Sequence, residues 1–431
     1  MKKNSLAVFL LSLVFLCLAC QAVKRYGKRP EPHPQDTAAE EKRRREPEKR
    51  AQPAVETTGG LPSRLKIGVV LPLSGELSGF GQAVLEGLLI ARDEFKSELG
   101  EEIEFELVDN EENYRIGSVR SIEIAKRLKD EGVIAVVGPL TTPSLVSTAL
   151  TLSSDSILVL SPSSSAYDLP QVAANAFSLN MPSPSLSRKI ARFATRELDL
   201  TSFAVLYPGN LYGHVMTESF IEEVELQGGN VMVVVSFSPS QKTFENEIKT
   251  IALYRPDALF IPARSEDVIQ IAPQVPYYGL YEVVLLGVDG WNYDDVTRKG
   301  GTYVEGVYFA DSFFPESPEL IYDRFSESYI RLYRKEPTRI AAWGYDALAM
   351  IVEAHEEGGD RAGALLEAFR GMKRFKGSTA IYSMVDGRIE REGFLFTISG
   401  GEIESLEYDT GRRNSHDTQK SHGGLWNENG G

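Results

Sequence analysis

The sequence predicts an α/β protein made of two Rossmann-like lobes with parallel sheets, joined by several crossovers that form a hinge. The chain has 431 residues, 42% of them hydrophobic, which is enough for more than one core. Between residues 65 and 407, short apolar β-branched runs alternate with longer amphipathic segments, as in parallel sheets covered by helices. The alternation stops at the prolines of Asn180–Pro184 and then begins again, which indicates two lobes.

The first lobe opens with apolar runs that are typical of buried strands. Between them lie segments whose apolar positions recur at a period of about 3.6 residues, which predicts helices. The predicted strands are Lys66–Leu71, Ile103–Val108, Val133–Gly138 and Ile157–Leu160. The predicted helices are Gln82–Phe95, Ser118–Lys129 and Ser144–Leu152.

The second lobe repeats this pattern. Its predicted strands are Phe203–Leu206, Val231–Val235, Ala258–Ile261 and Val283–Leu286. Its predicted helices are Tyr212–Leu226, Thr243–Leu253 and Ser265–Tyr278. The extended apolar segment Val307–Phe314 then predicts a crossover strand between the lobes.

The remaining part of the folded region must cover the first lobe again. Long helices are predicted at Pro318–Tyr333, Ile340–Ala354 and Gly363–Phe369. A hairpin of Thr379–Met384 and Gly393–Ile398 is expected to turn at Asp386-Gly387. We therefore expect one lobe to comprise 65–184 plus 315–374 and the other 185–314 plus 375–407. A cleft between two such lobes favours binding of a small ligand.

The N-terminus has the pattern of an export signal. Lys2 and Lys3 precede an apolar run that is short for a membrane span and ends in a cysteine, so residues 1–20 are predicted to be a signal peptide. The end of this run, Cys17-Leu18-Ala19-Cys20, resembles the bacterial lipobox, which implies lipidation of Cys20 and a membrane anchor. Plain secretion is the alternative.

Both flanks of the folded region are poor in large apolar residues. Residues 21–64 are rich in proline and charge and predict a disordered tether, and residues 408–431 predict a disordered tail. Residues 1–64 carry 13 Lys and Arg against 7 Asp and Glu, a net charge of +6. Because the whole chain has a net charge of −15, the remaining residues carry a net charge of −21. The acidic charge of the folded region argues against nucleic-acid binding.

Several short motifs, in this order and spacing, resemble the type I periplasmic binding proteins of the branched-chain amino-acid (Leu/Ile/Val) receptor family. They are Ile67–Gly75, Gly81-Gln82, Val137–Pro139, Leu160–Ser165, Leu211–Gly213 and Gly344–Ala347. The resemblance covers nearly all of residues 65–407 and implies the two-lobed fold. It also implies binding of a small polar ligand, such as an amino acid, for uptake through an ABC permease.

A narrower likeness points to the penicillin-binding-protein activator branch of this family. It is carried by Asp257–Pro262, Ile271–Gln274, Leu285–Asn292 and Phe313–Pro315. Members of that branch are outer-membrane lipoproteins that regulate peptidoglycan synthases. Gln21 after the lipobox cysteine favours the outer membrane by the same kind of resemblance. Synthase regulation therefore stands as the alternative to solute uptake.

Candidate ligand-binding residues lie where predicted strands end, because such loops present ligand groups in parallel sheets. Those of the first lobe are Ser74, Thr141, Thr142, Ser163, Ser164 and Ser165. Their hydroxyls, with free N–H groups at helix starts, suit a carboxylate or other anion. The resemblance implies that Thr142 and Ser165 hold a ligand carboxylate through hydroxyls and that Ser163 does so through its backbone.

In the second lobe the resemblance implies that Tyr212 packs on the ligand and that Asp289 pairs with its ammonium group. Arg264 stands where the receptors carry aromatic residues, and it would change the charge of the pocket. Trp291 would partly fill the pocket. Both departures argue against a free amino acid as the ligand. Each residue could instead be a cap or turn residue with no ligand.

The sequence predicts neither an enzyme nor a metal or cofactor site. The histidines are His33, His214, His355, His416 and His422, and three of them lie in the predicted disordered ends. The phosphate-binding pattern Gly-x-x-x-x-Gly-Lys and the Gly-x-Ser-x-Gly setting of a serine nucleophile do not occur.

Overall fold

The computed structural model describes residues 64–100, 102–112, 118–165, 167, 169–239 and 241–408. The predicted signal peptide, Cys20, the tether up to residue 63 and the tail from residue 409 lie outside the described residues.

The first sheet has five parallel strands in the order β2-β1-β3-β4-β5. Its strands are β1 (Arg64–Leu71), β2 (Glu102–Asp109), β3 (Ala135–Val137), β4 (Leu158–Ser161) and β5 (Ala176–Ser178). The helices between them are α1 (Ser78–Leu99), α2 (Ser118–Asp130), α3 (Thr142–Leu152) and α4 (Leu169–Val172). The predicted strands and helices of this part are all present, and β5 and α4 are additional.

The second sheet repeats this order in β7-β6-β8-β9-β10, and two antiparallel strands, β14 and β15, extend it beyond β10. Its parallel strands are β6 (Ser202–Pro208), β7 (Asn230–Phe237), β8 (Ala258–Ile261), β9 (Val284–Gly287) and β10 (Tyr308–Asp311). The helices are α5 (Pro184–Arg196), α6 (Leu211–Leu226), α7 (Glu245–Ala252), α8 (Ser265–Tyr277) and α9 (Asp294–Gly300).

After β10 the chain forms three helices and a small antiparallel sheet. The helices are α10 (Tyr322–Tyr333), α11 (Arg339–Gly358) and α12 (Ala362–Gly371). The small sheet consists of β11 (Phe375–Lys376), β12 (Ile381–Val385) and β13 (Arg388–Glu392), and the chain then enters β14 (Phe394–Ser399) and β15 (Glu402–Ser405).

Each large sheet is covered on both faces, which gives two three-layer sandwiches. One face of the first sheet packs against α1 and α10–α12, and the other against α2 and α3. The second sheet lies between α7–α9 on one face and α5 and α6 on the other. The predicted fold class, two lobes with parallel sheets, is confirmed. The predicted lobe boundaries stay a prediction, since β12 gives Tyr382 to one core and Ile381 to the other.

Two predictions for the C-terminal part are wrong in detail. The segment Val307–Phe314 is not a crossover strand, because its strand β10 lies inside the second sheet between β9 and β14. The hairpin does turn at Asp386-Gly387, but its second strand is Arg388–Glu392. Both turn residues have positive φ, which a two-residue hairpin loop of type I′ requires. Phe394–Ser399 instead pairs with β10.

The prolines near residue 182 end β5, but regular structure resumes at once. Helix α5 begins at Pro184, where proline is favoured because the first helical N–H needs no partner. Three connections run between the large sheets: residues 179–183, residues 312–321, and residues 372–393 with the small sheet. This number of connections agrees with the expected several crossovers.

Candidate functional site

Loops after the carboxyl ends of strands in both sheets enclose a cavity of about 660 Å³. Its lining is Ser165, Asn180, Met181, Pro182, Pro208, Asn210, Tyr212, Pro239, Lys242, Ala263, Arg264, Ser265, Glu266, Asp267, Gln270, Asp289, Gly290, Tyr293 and Arg391. The order 2-1-3-4-5 places strand-order reversals at β6/β8 and β1/β3, where open α/β sheets bind ligands. Four predicted site residues, Ser165, Tyr212, Arg264 and Asp289, therefore share one cavity.

Tyr212 and Asp289 form the polar centre of this cavity. The side chain of Asn210 caps α6 by accepting from the N–H of Gly213 at 2.9 Å, which fixes the helix start next to β6. Tyr212 lies in the first turn, and its hydroxyl donates to Oδ1 of Asp289 at 2.8 Å. Asp289 follows β9 in a short 3-10 turn.

Arg391, which is not among the predicted site residues, completes this polar centre. Its Nη2 lies 3.7 Å from Oδ2 of Asp289 and donates to the carbonyl of Met181 at 3.0 Å. Arg391 lies on β13, where four of the five residues are charged. What alternates along this strand is burial, since Ile389 and Arg391 are both buried on one face. The charges of the strand therefore gave no signal that Arg391 is buried.

Burial dominates the electrostatics of this centre. It raises the pKa of the Asp289 carboxyl, although the neighbouring Arg391 opposes the shift. The pKa of the Tyr212 phenol is raised well above its usual value, by burial and by the adjacent Asp289 carboxylate. Tyr212 therefore stays a hydrogen-bond donor at every physiological pH.

Arg264 and Lys242 add two cations at the cavity wall. Arg264 is exposed at the start of α8, and Lys242 follows the loop after β7. Among the residues that the structure describes, neither has a carboxylate oxygen within 4.0 Å. Burial and the neighbouring Glu266 raise the pKa of Asp267, which lies on the same wall. The wall thus carries charges of both signs, and its two cations are not engaged in an ion pair with any described residue.

The other predicted hydroxyl residues of the first lobe mainly hold loops together. Thr142 and Ser164 share a hydrogen bond of 2.9 Å between their hydroxyl oxygens, and the hydroxyl of Ser163 donates to the carbonyl of Leu140 at 3.1 Å. None of the three lines the cavity. Their predicted contact with a ligand stays a prediction, which would require movement of the lobes.

Thr141 and Ser74 are bound to carboxylates of their own lobe. Thr141 donates its hydroxyl to the buried carboxylate of Glu112, which also accepts from the N–H of Leu140 at 3.1 Å. Ser74 donates to Asp109, a bond that lowers the pKa of this carboxyl against the effect of burial. These acids shape the loops after β1 and β3.

Trp291 lies in the core instead of the cavity. Its side chain is fully buried, and its indole N–H donates to the carbonyl of Ile261 at 3.0 Å. The ring packs against Gly287, where a Cβ would overlap it. Trp291 therefore supports the loop that carries Asp289 and takes no cavity volume.

A second ion pair lies beneath the cavity. Arg339 contacts the buried Asp311 at 3.1 Å, and the amide of Asn292 donates to the same carboxylate oxygen at 2.8 Å. The guanidinium of Arg339 stacks on Phe313, 4.3 Å from the ring centroid, and faces Tyr293 at 5.4 Å. Tyr293 also lines the cavity, so this pair adjoins the site.

Within the described ranges, no group of His, Cys, Asp and Glu is arranged to hold a metal ion. Within the same ranges, no helix has the length and apolar character that crossing a bilayer needs.

Two sheet-based halves with a polar cavity at their facing edges are the architecture of a two-lobed solute-binding protein. A family model described as periplasmic binding protein matches residues 64–402. The chain therefore belongs to the periplasmic binding protein family, whose members bind solutes and are not enzymes. The predicted recognition is confirmed at this level.

Several known proteins are similar to this chain. The Leu/Ile/Val-binding protein BraC3 of Rhizobium johnstonii is 23% identical over 254 residues, 58% of this chain and 67% of the relative. The leucine-binding protein LivK of Thermotoga maritima has a TM-score of 0.60 and 25% identity, covering 79% of this chain and 97% of that one. A solute-binding protein of R. palustris in complex with benzoate has a TM-score of 0.57 and 18% identity, covering 80% of this chain and 96% of that one.

Proposed function

We propose that this protein is the solute-binding component of an ABC-type uptake system and holds a small ligand with a carboxylate and an apolar body between its lobes. The observation that carries this proposal is the cavity of about 660 Å³ with Lys242 and Arg264 on its wall. Its volume falls in the range of small-ligand sites, roughly 300–1,000 Å³. Met181, Pro182 and Tyr212 supply apolar surface beside the cations.

The named relatives support this ligand chemistry. One is named for leucine, isoleucine and valine, one for leucine, and one holds benzoate. These compounds share a carboxylate joined to an apolar body. A branched-chain amino acid or a related carboxylate is therefore the first class to test, with an ABC permease as the partner.

Thermal unfolding in the presence of leucine, isoleucine, valine, benzoate and short branched carboxylates tests the proposal. A ligand that binds only the folded state at a hundredfold excess over its Kd adds about 3 kcal/mol. We therefore expect at least one compound to raise Tm by roughly 3–5 °C. No shift with any of these compounds would contradict the proposal.

A matched pair of variants ties the shift to the cavity. Lys242→Ala removes a cation from the wall and should reduce the shift, because the ligand carboxylate loses a partner. Lys249→Ala removes an exposed cation on α7 that pairs with Glu245 and does not line the cavity. This control should keep the full shift.

We also propose that the protein lies in the periplasm and is anchored to a membrane through a lipid on Cys20. The family is periplasmic, and the lipobox-like sequence supports the anchor. Cys20→Ala should abolish incorporation of labelled palmitate, because the thiol that carries the lipid is removed. If incorporation is unchanged in the variant, the lipid is attached elsewhere. The choice of the outer membrane rests on Gln21 alone.

Regulation of a peptidoglycan synthase remains the alternative at the level of sequence likeness. Neither the family model nor the named relatives point to the penicillin-binding-protein activator branch. That function predicts co-purification of a synthase and no thermal shift with small carboxylates. A thermal shift without a captured synthase would reject it.

A further inference from the structure

We infer that Arg391 is a built-in counter-ion of Asp289, so that the cavity prefers organic carboxylates without an ammonium group to zwitterionic amino acids. This inference rests on the proposed function, because it names the ligand class of the same cavity. The resemblance to the receptors implies that Asp289 pairs with the ammonium of the ligand. Here the chain itself supplies that positive charge.

Both carboxylate oxygens of Asp289 already have partners. Oδ1 accepts from the hydroxyl of Tyr212 at 2.8 Å, and Oδ2 lies 3.7 Å from Nη2 of Arg391. A ligand ammonium at this carboxylate would stand beside a guanidinium of the same charge. Like charges held together in a partly desolvated site oppose binding.

Arg391 cannot easily leave this position. Its side chain is only 5% exposed, and its Nη2 donates to the carbonyl of Met181 at 3.0 Å. Its backbone is held as well, since its N–H donates to the hydroxyl of Ser183 at 3.1 Å and its carbonyl accepts from the hydroxyl of Ser185 at 2.7 Å. Movement of Arg391 would therefore break contacts with the first connection and with the start of α5.

The buried charges around the cavity already balance. Asp289 pairs with Arg391, and the fully buried Asp311 pairs with Arg339 at 3.1 Å. A ligand ammonium at Asp289 would add a second cation to a pair that is already neutral, which is costly where water is excluded. The other cavity carboxylates, Glu266 and Asp267, lie on the wall with Lys242 and Arg264. A ligand without an ammonium leaves this balance intact.

A carboxylate, by contrast, can reach positive charge elsewhere on the cavity wall. Within the described residues, Lys242 and Arg264 have no carboxylate oxygen within 4.0 Å. Glu266 and Asp267 line the same wall and oppose an anion there. The wall thus offers a monocarboxylate two cations that no described residue engages in an ion pair.

Two ligand pairs that differ only in the ammonium group test the inference by calorimetry on the purified protein. They are 4-methylpentanoate against leucine, and 3-phenylpropanoate against phenylalanine. We expect the compound without the ammonium to bind about tenfold or more tightly in at least one pair. An amino acid that binds as tightly as its partner or tighter would overturn the inference and leave the proposed function standing. If none of the four binds, the inference is overturned, and the wider set of compounds in the thermal-shift experiment decides the proposed function.

Variants of Arg391 test its role as the counter-ion of Asp289. Arg391→Gln should reduce or reverse the preference, because Asp289 would then lack a cation, whereas Arg391→Lys should keep it. Arg388→Gln is the control, since Arg388 lies on the same strand, stacks on Tyr167 at 4.5 Å and does not line the cavity. An unchanged preference in a folded Arg391→Gln variant contradicts the assignment. If that variant does not fold, the inference is tested by the affinities of the wild-type protein for the two ligand pairs.

Discussion

Asp346 is a buried carboxylate that joins helix α11 to the small sheet. It accepts from the N–H of Ser378 at 2.5 Å and from the N–H and hydroxyl of Thr379 at 2.9 and 2.6 Å. It also accepts from the hydroxyl of Tyr382 at 2.9 Å. A side chain with so many donors determines how the third connection meets the first lobe.

We expect Asp346→Ala to lower the free energy of unfolding by about 3 kcal/mol, because several buried donors would lose their acceptor. Urea denaturation measures this change. Glu353→Ala is the control on the same helix, where the side chain is exposed, and it should stay within about 0.5 kcal/mol of wild type. Equal effects of the two substitutions would show that Asp346 does not have this structural role.

The residues of the cavity divide into those that the sequence predicts and those that it does not. Ser165, Tyr212, Arg264 and Asp289 follow strand ends, and the rule for parallel sheets brings such positions together. Arg391 reaches the same cavity from a strand about a hundred residues further along the chain. No local pattern predicts this contact, because it depends on how the third connection packs between the lobes.

At the scale of secondary-structure elements, helices α1 and α11 cross with their backbones in close contact. A Cβ at Gly87 would overlap the carbonyl oxygen of Ala341, and one at Gly344 would overlap that of Val84. The two backbones therefore touch, and only glycine fits at either position.

Gly344→Ala should accordingly destabilise the protein by about 1–3 kcal/mol through overpacking. Gly79→Ala is the matched control in α1, where a Cβ meets nothing within 4 Å. Since alanine favours helix over glycine, the control should be neutral or stabilising by up to about 1 kcal/mol. Thermal or urea unfolding of both variants measures the difference, and a stable Gly344→Ala protein would contradict the close crossing.

Strands β6 and β8 are joined at their starts by Asp257. Its Oδ2 accepts from the N–H of Ser202 at 2.8 Å and from the N–H of Thr201 at 3.2 Å. Hydrogen bonding with Ser202 and Thr201 holds the pKa of Asp257 below its usual value, against a smaller opposing effect of burial.

The sign of this shift predicts a pH dependence. A lowered pKa means that the charged form stabilises the fold, so the stabilisation is full above about pH 4 and is lost as the pH falls through the lowered pKa. Between about pH 5 and pH 3, wild type should therefore lose more stability than Asp257→Asn. Urea midpoints at the two pH values measure this difference, and parallel losses would contradict it.

Most elements could be predicted because their signals are local. The strand Ala258–Ile261 was predicted to the residue, since a buried strand is a short apolar run. Helix α5 was missed because its prolines were interpreted only as breaks, although Pro184 occupies the first helical position. Strand β13 was missed because its charges indicate exposed loop, whereas its arginines and glutamates form ion pairs at the boundary of the lobes.

At the scale of the whole molecule, three connections join the two sheets and the cavity lies between them. We propose that the lobes move about these connections and close on the ligand. Arg391 contacts the first connection through Met181 and the second lobe through Asp289. The ligand site and the hinge thus share a residue, so ligand binding and lobe movement should be coupled.

Electron paramagnetic resonance between two spin labels tests this central claim most directly. The only cysteines are Cys17 and Cys20, so protein that begins at Gln21 accepts labels only at introduced cysteines. Leu150 and Leu226 are exposed, on α3 and α6 respectively, and suit labelling. With a ligand that calorimetry shows to be saturating, we predict that the distance distribution shifts and narrows. An unchanged distribution under that saturation would contradict closure of the lobes around the cavity.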